Sequence, residues 1–309
     1  MIPLVRPPRL APGARVAVVA PSGPVVEERL AAGLDLLRGW GLDPVVAPHV
    51  LDRHPDFPYL AGTDADRAAD FQAAWCDPDV TAVLCARGGY GAQRMMDLLD
   101  WDALRAAGPK VLVGYSDITA LHEAFAVRLG LVTLHGPMVS ALDFLKNSRA
   151  QEHLRATLLE PESVMAIRAV GAGTALVPGR ARGVTLGGCL SLLAAGLDTP
   201  HARSGARGGL LMIEDIGEEA YRLDRLLTQL LRSGRLDGIA GIALGSFKDC
   251  GSYELLRRVL VDRLRGLGVP VVEEFGFGHG DGAPTVPLGV RAELDADAGT
   301  LTLEEPALA

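Results

Sequence analysis

Cysteine is scarce and scattered in this chain, four residues among 309 at positions 76, 85, 189 and 250, with no CxxC pair. Such spacing supports neither a zinc site nor a disulfide framework. Cys85 and Cys189 sit in apolar stretches and read as small hydrophobes in a reducing compartment. Long apolar runs are missing as well. The run Val16–Ala20 is too short for a signal-peptide core or a membrane span, so the chain is expected in the cytoplasm. Lys and Arg total 30 against 38 Asp and Glu, a net charge of −8, and no basic cluster appears. Nucleic acid and anionic membranes are therefore poor partners. No internal repeat or low-complexity tract is visible.

What is present is the composition of a soluble globular protein, 49% hydrophobic and 22% charged, with length enough for two domains. In the first half, β-branched runs alternate with helical patterns. "RVAVVA" (15–20) ends at Pro21, Ser22 and Gly23, after which Leu30, Leu34 and Leu37 fall at helical spacing. The runs "VTAVLCA" (80–86), "KVLVG" (110–114) and "LVTLHGPM" (131–138) follow, separated by helical stretches at 64–75, 95–99, 101–106 and 117–128. Buried strands alternating with helices imply a mostly parallel, doubly wound sheet over residues 1–145. Residues 146–175 read as a connector, polar at first and then rich in Gly and Ala. Residues 176–309 read as a smaller C-terminal α/β domain with a mixed sheet. Its strands fall at 181–188, 208–215, 238–247 and 269–274, its helices near 188–196, 220–233 and 252–265, and a hairpin turns at Asp297–Gly299.

Ser116, in "GYSDITALH", stands where a strand turns into a helix whose apolar face carries Ile118, Leu121, Phe125 and Leu129. Ligands of open α/β sheets bind at the carboxyl ends of the strands, and a serine on such a turn projects its hydroxyl beyond the sheet. Ser116 or Asp117 could equally serve as a helix cap, and the flanking glycines of G-x-S-x-G are missing. A nucleophilic serine needs a base, and the base an orienting acid. Among seven histidines, His49, His54, His153 and His201 read as surface residues. His122 points up its helix, and His135 either lines the cleft or ends a strand. His279 is distinguished by "GFGHGDGAPTVPLG", whose glycines permit backbone angles closed to other residues; an exposed hairpin would suit the same string. A metal at His279 and Asp281 lacks a third ligand at recognisable spacing. For the acid, "LLMIED" ends a buried strand in Glu214 and Asp215, and the same pair equally suits plain polar residues at a strand exit.

Together these stretches resemble the LD-carboxypeptidase family of serine peptidases. The likeness rests on "VVAPSG", "ARGGYGAQRMMDLLD", "GYSDITALH", "LHGPM", "LMIEDIGEEAYRLDRLL" and "GFGHGDGAPTVPLG", six ordered matches spanning nearly the whole chain. The resemblance implies a catalytic triad of Ser116, Glu214 and His279. It also implies a serine domain and a Glu/His domain with the active site in the cleft between them, and a homodimer; no cofactor or metal is expected. The implied reaction is release of terminal D-alanine from murein tetrapeptide, in peptidoglycan recycling. Backbone N–H groups of Asp117 and Gly89, with Gly88 the alternative, are expected to form the oxyanion hole. Arg87, Tyr90 and His135 are candidate substrate contacts, Arg87 for the terminal carboxylate or simply as a surface arginine. "RGGYG" lacks the endings of a P-loop or dinucleotide motif. A microcin-immunity type of peptidase, acting on aminoacyl-nucleotide conjugates, would need an aromatic residue to stack on the base, and 146–180 contains no Trp, Tyr or Phe. A non-catalytic peptide-binding relative is the remaining alternative.

Overall fold

The computed structural model describes residues 3–170 and 174–309. Among the described residues fourteen strands form two sheets. In the N-terminal lobe β1 (Arg15–Val19), β2 (Asp43–Val46), β3 (Val80–Cys85), β4 (Val111–Gly114) and β5 (Thr133–His135) are parallel in the order 2-1-3-4-5. Successive side chains of one strand enter different cores: Val16, Val18, Leu84 and Val113 face one, Ala17, Val19, Cys85 and Leu112 the other. The first core is closed by Leu30, Leu34 and Leu37 with Leu154 and Leu158. Phe71, Trp75, Leu121 and Phe125 close the second. This alternation at period two, with apolar residues on both faces, is the reason the strands read as unbroken hydrophobic runs.

The C-terminal lobe holds β6 (Ala166–Arg168), β7 (Thr174–Val177), β8 (Arg180–Cys189), β9 (Gly209–Ile216), β10 (Gly241–Lys248) and β11 (Val271–Glu273). After β12 (Val286–Leu288) come β13 (Arg291–Asp295) and β14 (Thr300–Leu303). Parallel β8-β9-β10-β11 form the centre, flanked by antiparallel β13, β14, β6 and β7. The hairpin foreseen around Asp297–Gly299 is β13–β14. Within 146–175 lie helices Leu142–Lys146 (in part) and Ser148–Leu159 and two edge strands of the second sheet; residues 171–173 of that stretch fall outside the described residues.

Two features tie the lobes together. β12 belongs by sequence to the second half, yet pairs antiparallel with β5 of the first sheet, Val286 opposite His135. The helix Thr119–Arg128 that follows Ser116 is also bolted across. Thr119 Oγ1 accepts from the Cys189 backbone N–H at 2.9 Å, and buried Glu123 is held by Arg203 and by Arg235 at 2.6 Å.

Candidate active site

The strand order reverses between β1 and β3, and a crevice outside the carboxyl ends of the strands is expected at such a point. A cleft of about 790 Å³ lies there, lined by Arg87, Gly88 and Gly89 after β3, by Tyr115 and Ser116 after β4, and by His279. Ser116 heads a short turn, Ser116–Ile118, with φ of 62°. A side chain in the left-handed region costs energy that the surroundings must offset, and such residues concentrate at functional sites. What holds the turn is Asp117. Its buried carboxylate accepts the Ser22 hydroxyl at 2.6 Å and the Ala92 N–H at 2.8 Å, joining the turn after β1 to the loop after β3. Gly88 lies so near that a Cβ added there would stand 3.1 Å from the Ser116 Cβ.

His279 is carried by the loop between β11, a strand of the second sheet, and β12, a strand of the first. Its Nδ1 lies 2.6 Å from Glu214 Oε2, and its backbone N–H donates to the same oxygen at 3.3 Å. Because Nδ1–H donates to the carboxylate, Nε2 is left as the basic nitrogen. The Tyr115 ring packs edge-on against the imidazole, centroids 4.8 Å apart. The hydrogen bonds of His279 run to Glu214 and not to Ser116; nucleophile–base bonds are commonly long before substrate enters. Gly278, at φ +85°, meets a steric demand here, since a Cβ would collide with the Glu214 carboxylate.

Glu214 is 0% exposed. Burial pushes its carboxyl up, but His135 and His279 outweigh that and bring it to about 2. The neighbouring Asp215 points the other way, accepting the backbone N–H groups of Ser191 and Ile216 at 2.8 and 2.9 Å. Burial raises Asp215. Alternation along β9 thus separates two acids that the sequence left equivalent.

The other sequence candidates fall variously. Arg87 and Gly89 line the cleft, and Gly89 takes φ +111°. Asp117 is buried, and its side chain does the tying described above. Tyr90 is 48% exposed, packs on Tyr59 and is not part of the cleft lining. His135, at 2% exposure, is withdrawn from the cleft; its Nε2 stands 3.6 Å from Glu214 Oε1, on the carboxylate oxygen that His279 does not use. His122 donates from Nε2 to the Gly114 carbonyl at 2.9 Å, and burial lowers it to about 3. His201, expected on the surface, is 7% exposed between Asp97 and Arg128. His153 accepts from the Thr285 N–H, and His49 pairs with Asp70 at 2.7 Å. Sequence reasoning gave no role to Ser22, nor to Arg29 and Arg53, which also line the cleft. The one available signal was that Ser22 follows β1 as Ser116 follows β4, both at strand ends.

Comparison with known proteins bears on the same residues. The description "LD-carboxypeptidase N-terminal domain" matches residues 16–136, and "LD-carboxypeptidase C-terminal domain" matches 182–294. The chain belongs to the LD-carboxypeptidase family. Along the chain, Ser116 falls in the N-terminal match, and Glu214 and His279 in the C-terminal one. A Streptomyces coelicolor protein, itself named a carboxypeptidase only provisionally, is 77% identical over 99% of this chain and 98% of its own. The murein tetrapeptide carboxypeptidase of Pseudomonas aeruginosa is 35% identical over 92% and 94%. The crystal structure of an MccF-like protein from Bacillus anthracis superposes with a TM-score of 0.86 over 96% of this chain and 98% of that one, at 23% identity, which bears on the fold alone. Among the described residues no helix is long and apolar enough to cross a membrane.

Proposed function

We propose that the protein is a serine-type carboxypeptidase that hydrolyses an L,D amide bond and releases terminal D-alanine from murein tetrapeptide. The observation carrying this reading is the buried Glu214 carboxylate bonded to His279 Nδ1, with the imidazole and Ser116 in the lining of one cleft. His279 Nε2 takes the Ser116 proton as Oγ attacks the scissile carbonyl. It then returns a proton to the departing D-alanine amine, and water repeats the cycle on the acyl-enzyme. Glu214, charged at neutral pH, keeps the tautomer and stabilises the imidazolium. The oxyanion is met by the backbone N–H groups of Asp117 and Gly89, each such donor being worth about 2.7–4 kcal/mol of barrier. Arg87 is available for the terminal carboxylate. The relationship to the Pseudomonas aeruginosa protein supports the substrate. Four free cysteines agree with a reducing cytoplasm, and a homodimer follows from the family resemblance.

A second reading, hydrolysis of an aminoacyl-nucleotide conjugate, draws support from exposed rings near the cleft. Phe57 stacks on Tyr59 at 5.7 Å and Tyr59 meets Tyr90 edge-on at 5.8 Å, a cluster of rings that offers a face to a base although 146–180 has no aromatic residue. Incubating the protein with murein tetrapeptide and with an aminoacyl-adenylate analogue, and reading products by mass, decides between them. D-alanine release that vanishes in Ser116→Ala, with an unchanged circular-dichroism spectrum, is expected. Full activity in that variant ends the serine mechanism.

A further inference from the structure

The wall of the cleft formed by the N-terminal lobe carries three arginines: Arg29 on helix Glu27–Gly39, Arg53 in the loop after β2, and Arg87 after β3. Among the described residues none of the three forms an ion pair, whereas Arg67 and Arg94 of the same lobe share Asp64. Two are oriented without being neutralised. Arg53 Nη2 donates to the Val25 carbonyl and Arg87 Nη1 to the Pro24 carbonyl, each at 2.9 Å, so the carbonyls of two successive residues each fix one guanidinium in the lining of the same cleft. A guanidinium has five N–H donors, and one bond apiece leaves most of them for a ligand. The acid that shares this lining, Asp143, stands 3.5 Å from Lys248. In a chain of net charge −8, an unpaired cationic wall beside Ser116 is complementary to an anionic ligand.

A single terminal carboxylate engages one arginine fork. We infer that Arg29 and Arg53 form a second anion subsite, which reads a carboxylate carried on a branch of the peptide other than its C-terminus. This rests on the carboxypeptidase reading and names its substrate class: a short peptide with free branch carboxylates, as on a γ-linked glutamate or the distal carbon of a diamino diacid.

The test uses the full chain carrying Ser116→Ala, which cannot turn substrate over, titrated calorimetrically. The ligands are murein tetrapeptide with its branch carboxylates free and the same peptide with them amidated, the C-terminal carboxylate intact in both. Amidation should weaken binding at least about 10-fold, the scale of a lost charge-assisted hydrogen bond. Arg29→Gln and Arg53→Gln, checked for folding by circular dichroism, should bring the two affinities together. Equal affinities in the Ser116→Ala protein, or discrimination that survives both arginine substitutions, overturns the subsite. Tighter binding of AMP than of the free-carboxylate peptide reassigns the wall to a phosphoryl group and likewise overturns it. Wild-type D-alanine release is measured separately. Its absence alongside carboxylate discrimination leaves the subsite standing and removes the hydrolase, and release without discrimination does the reverse.

Discussion

Glu214 meets His279 twice through one oxygen, Oε2 accepting from the ring Nδ1 at 2.6 Å and from the backbone N–H at 3.3 Å. The loop and the ring are thereby oriented together, and the proton is kept on the nitrogen away from the cleft. Glu214→Gln retains the shape but offers an amide that can donate where the carboxylate only accepts, favouring the wrong tautomer. The expected result is a fall in kcat of about 10,000-fold, by analogy with the aspartate-to-asparagine change in serine proteases, with KM little altered. Steady-state D-alanine release measures it.

Ser116 is held at φ 62°, which an alanine does not relieve and a glycine does. Ser116→Gly is expected to be more stable than Ser116→Ala by about 1 kcal/mol, relief of left-handed strain exceeding glycine's greater unfolded-state entropy. Both variants should be inactive. Urea melts of the pair decide it, and equal midpoints would mean that the turn stores no strain.

Gly278 leaves room for Glu214 to reach the imidazole. Gly278→Ala should displace the carboxylate and cut kcat/KM at least about 100-fold, the cost of misplacing a catalytic group by roughly an ångström. Secondary structure should be retained, since the loop lies outside the sheets. Activity assays beside far-ultraviolet circular dichroism distinguish this from global unfolding.

Acid should weaken the fold through groups whose charge state is tied to burial. Glu123 is raised by burial but lowered further by Arg203 and Arg235, and its net shift is downward. A depressed carboxyl contributes stability that is complete above the ordinary carboxylate value and is lost as pH falls through the folded one. For Glu214 that window runs from 4.5 to about 2. His122, brought down to about 3, adds a loss beginning below its ordinary 6.5, because the unfolded chain binds that proton first. Glu123→Gln should cost roughly 3–5 kcal/mol at neutral pH by leaving buried Arg235 and half-buried Arg203 unpaired. It should also flatten the acid limb, as followed by denaturant melts between pH 7 and pH 3.

Strands β1, β3–β5 and β8–β11, the helix after Ser116 and the β13–β14 hairpin were legible because each is written in a local period: apolar runs of four to eight residues, helical spacing, a turn at Asp297–Gly299; the short edge strands β6 and β7, in a stretch that reads as a connector, were not. Ser116, Glu214 and His279 could be singled out for a similar reason, since strand ends and a glycine-dense loop are local signals. Those signals say nothing about distance between residues 65 or more positions apart.

Local pattern by itself therefore determined the elements, the strand-end serine and the family resemblance. Tertiary structure alone decided which of Glu214 and Asp215 faces the imidazole, because the direction of a side chain depends on the register of β9 in its sheet. It decided that His201 is enclosed and that His135 sits behind Glu214 instead of in the cleft. It also decided that β12 crosses to the first sheet, carrying the His279 loop from one lobe to the other. Strand pairing and burial are set by partners far along the chain, and no window of neighbouring residues contains them.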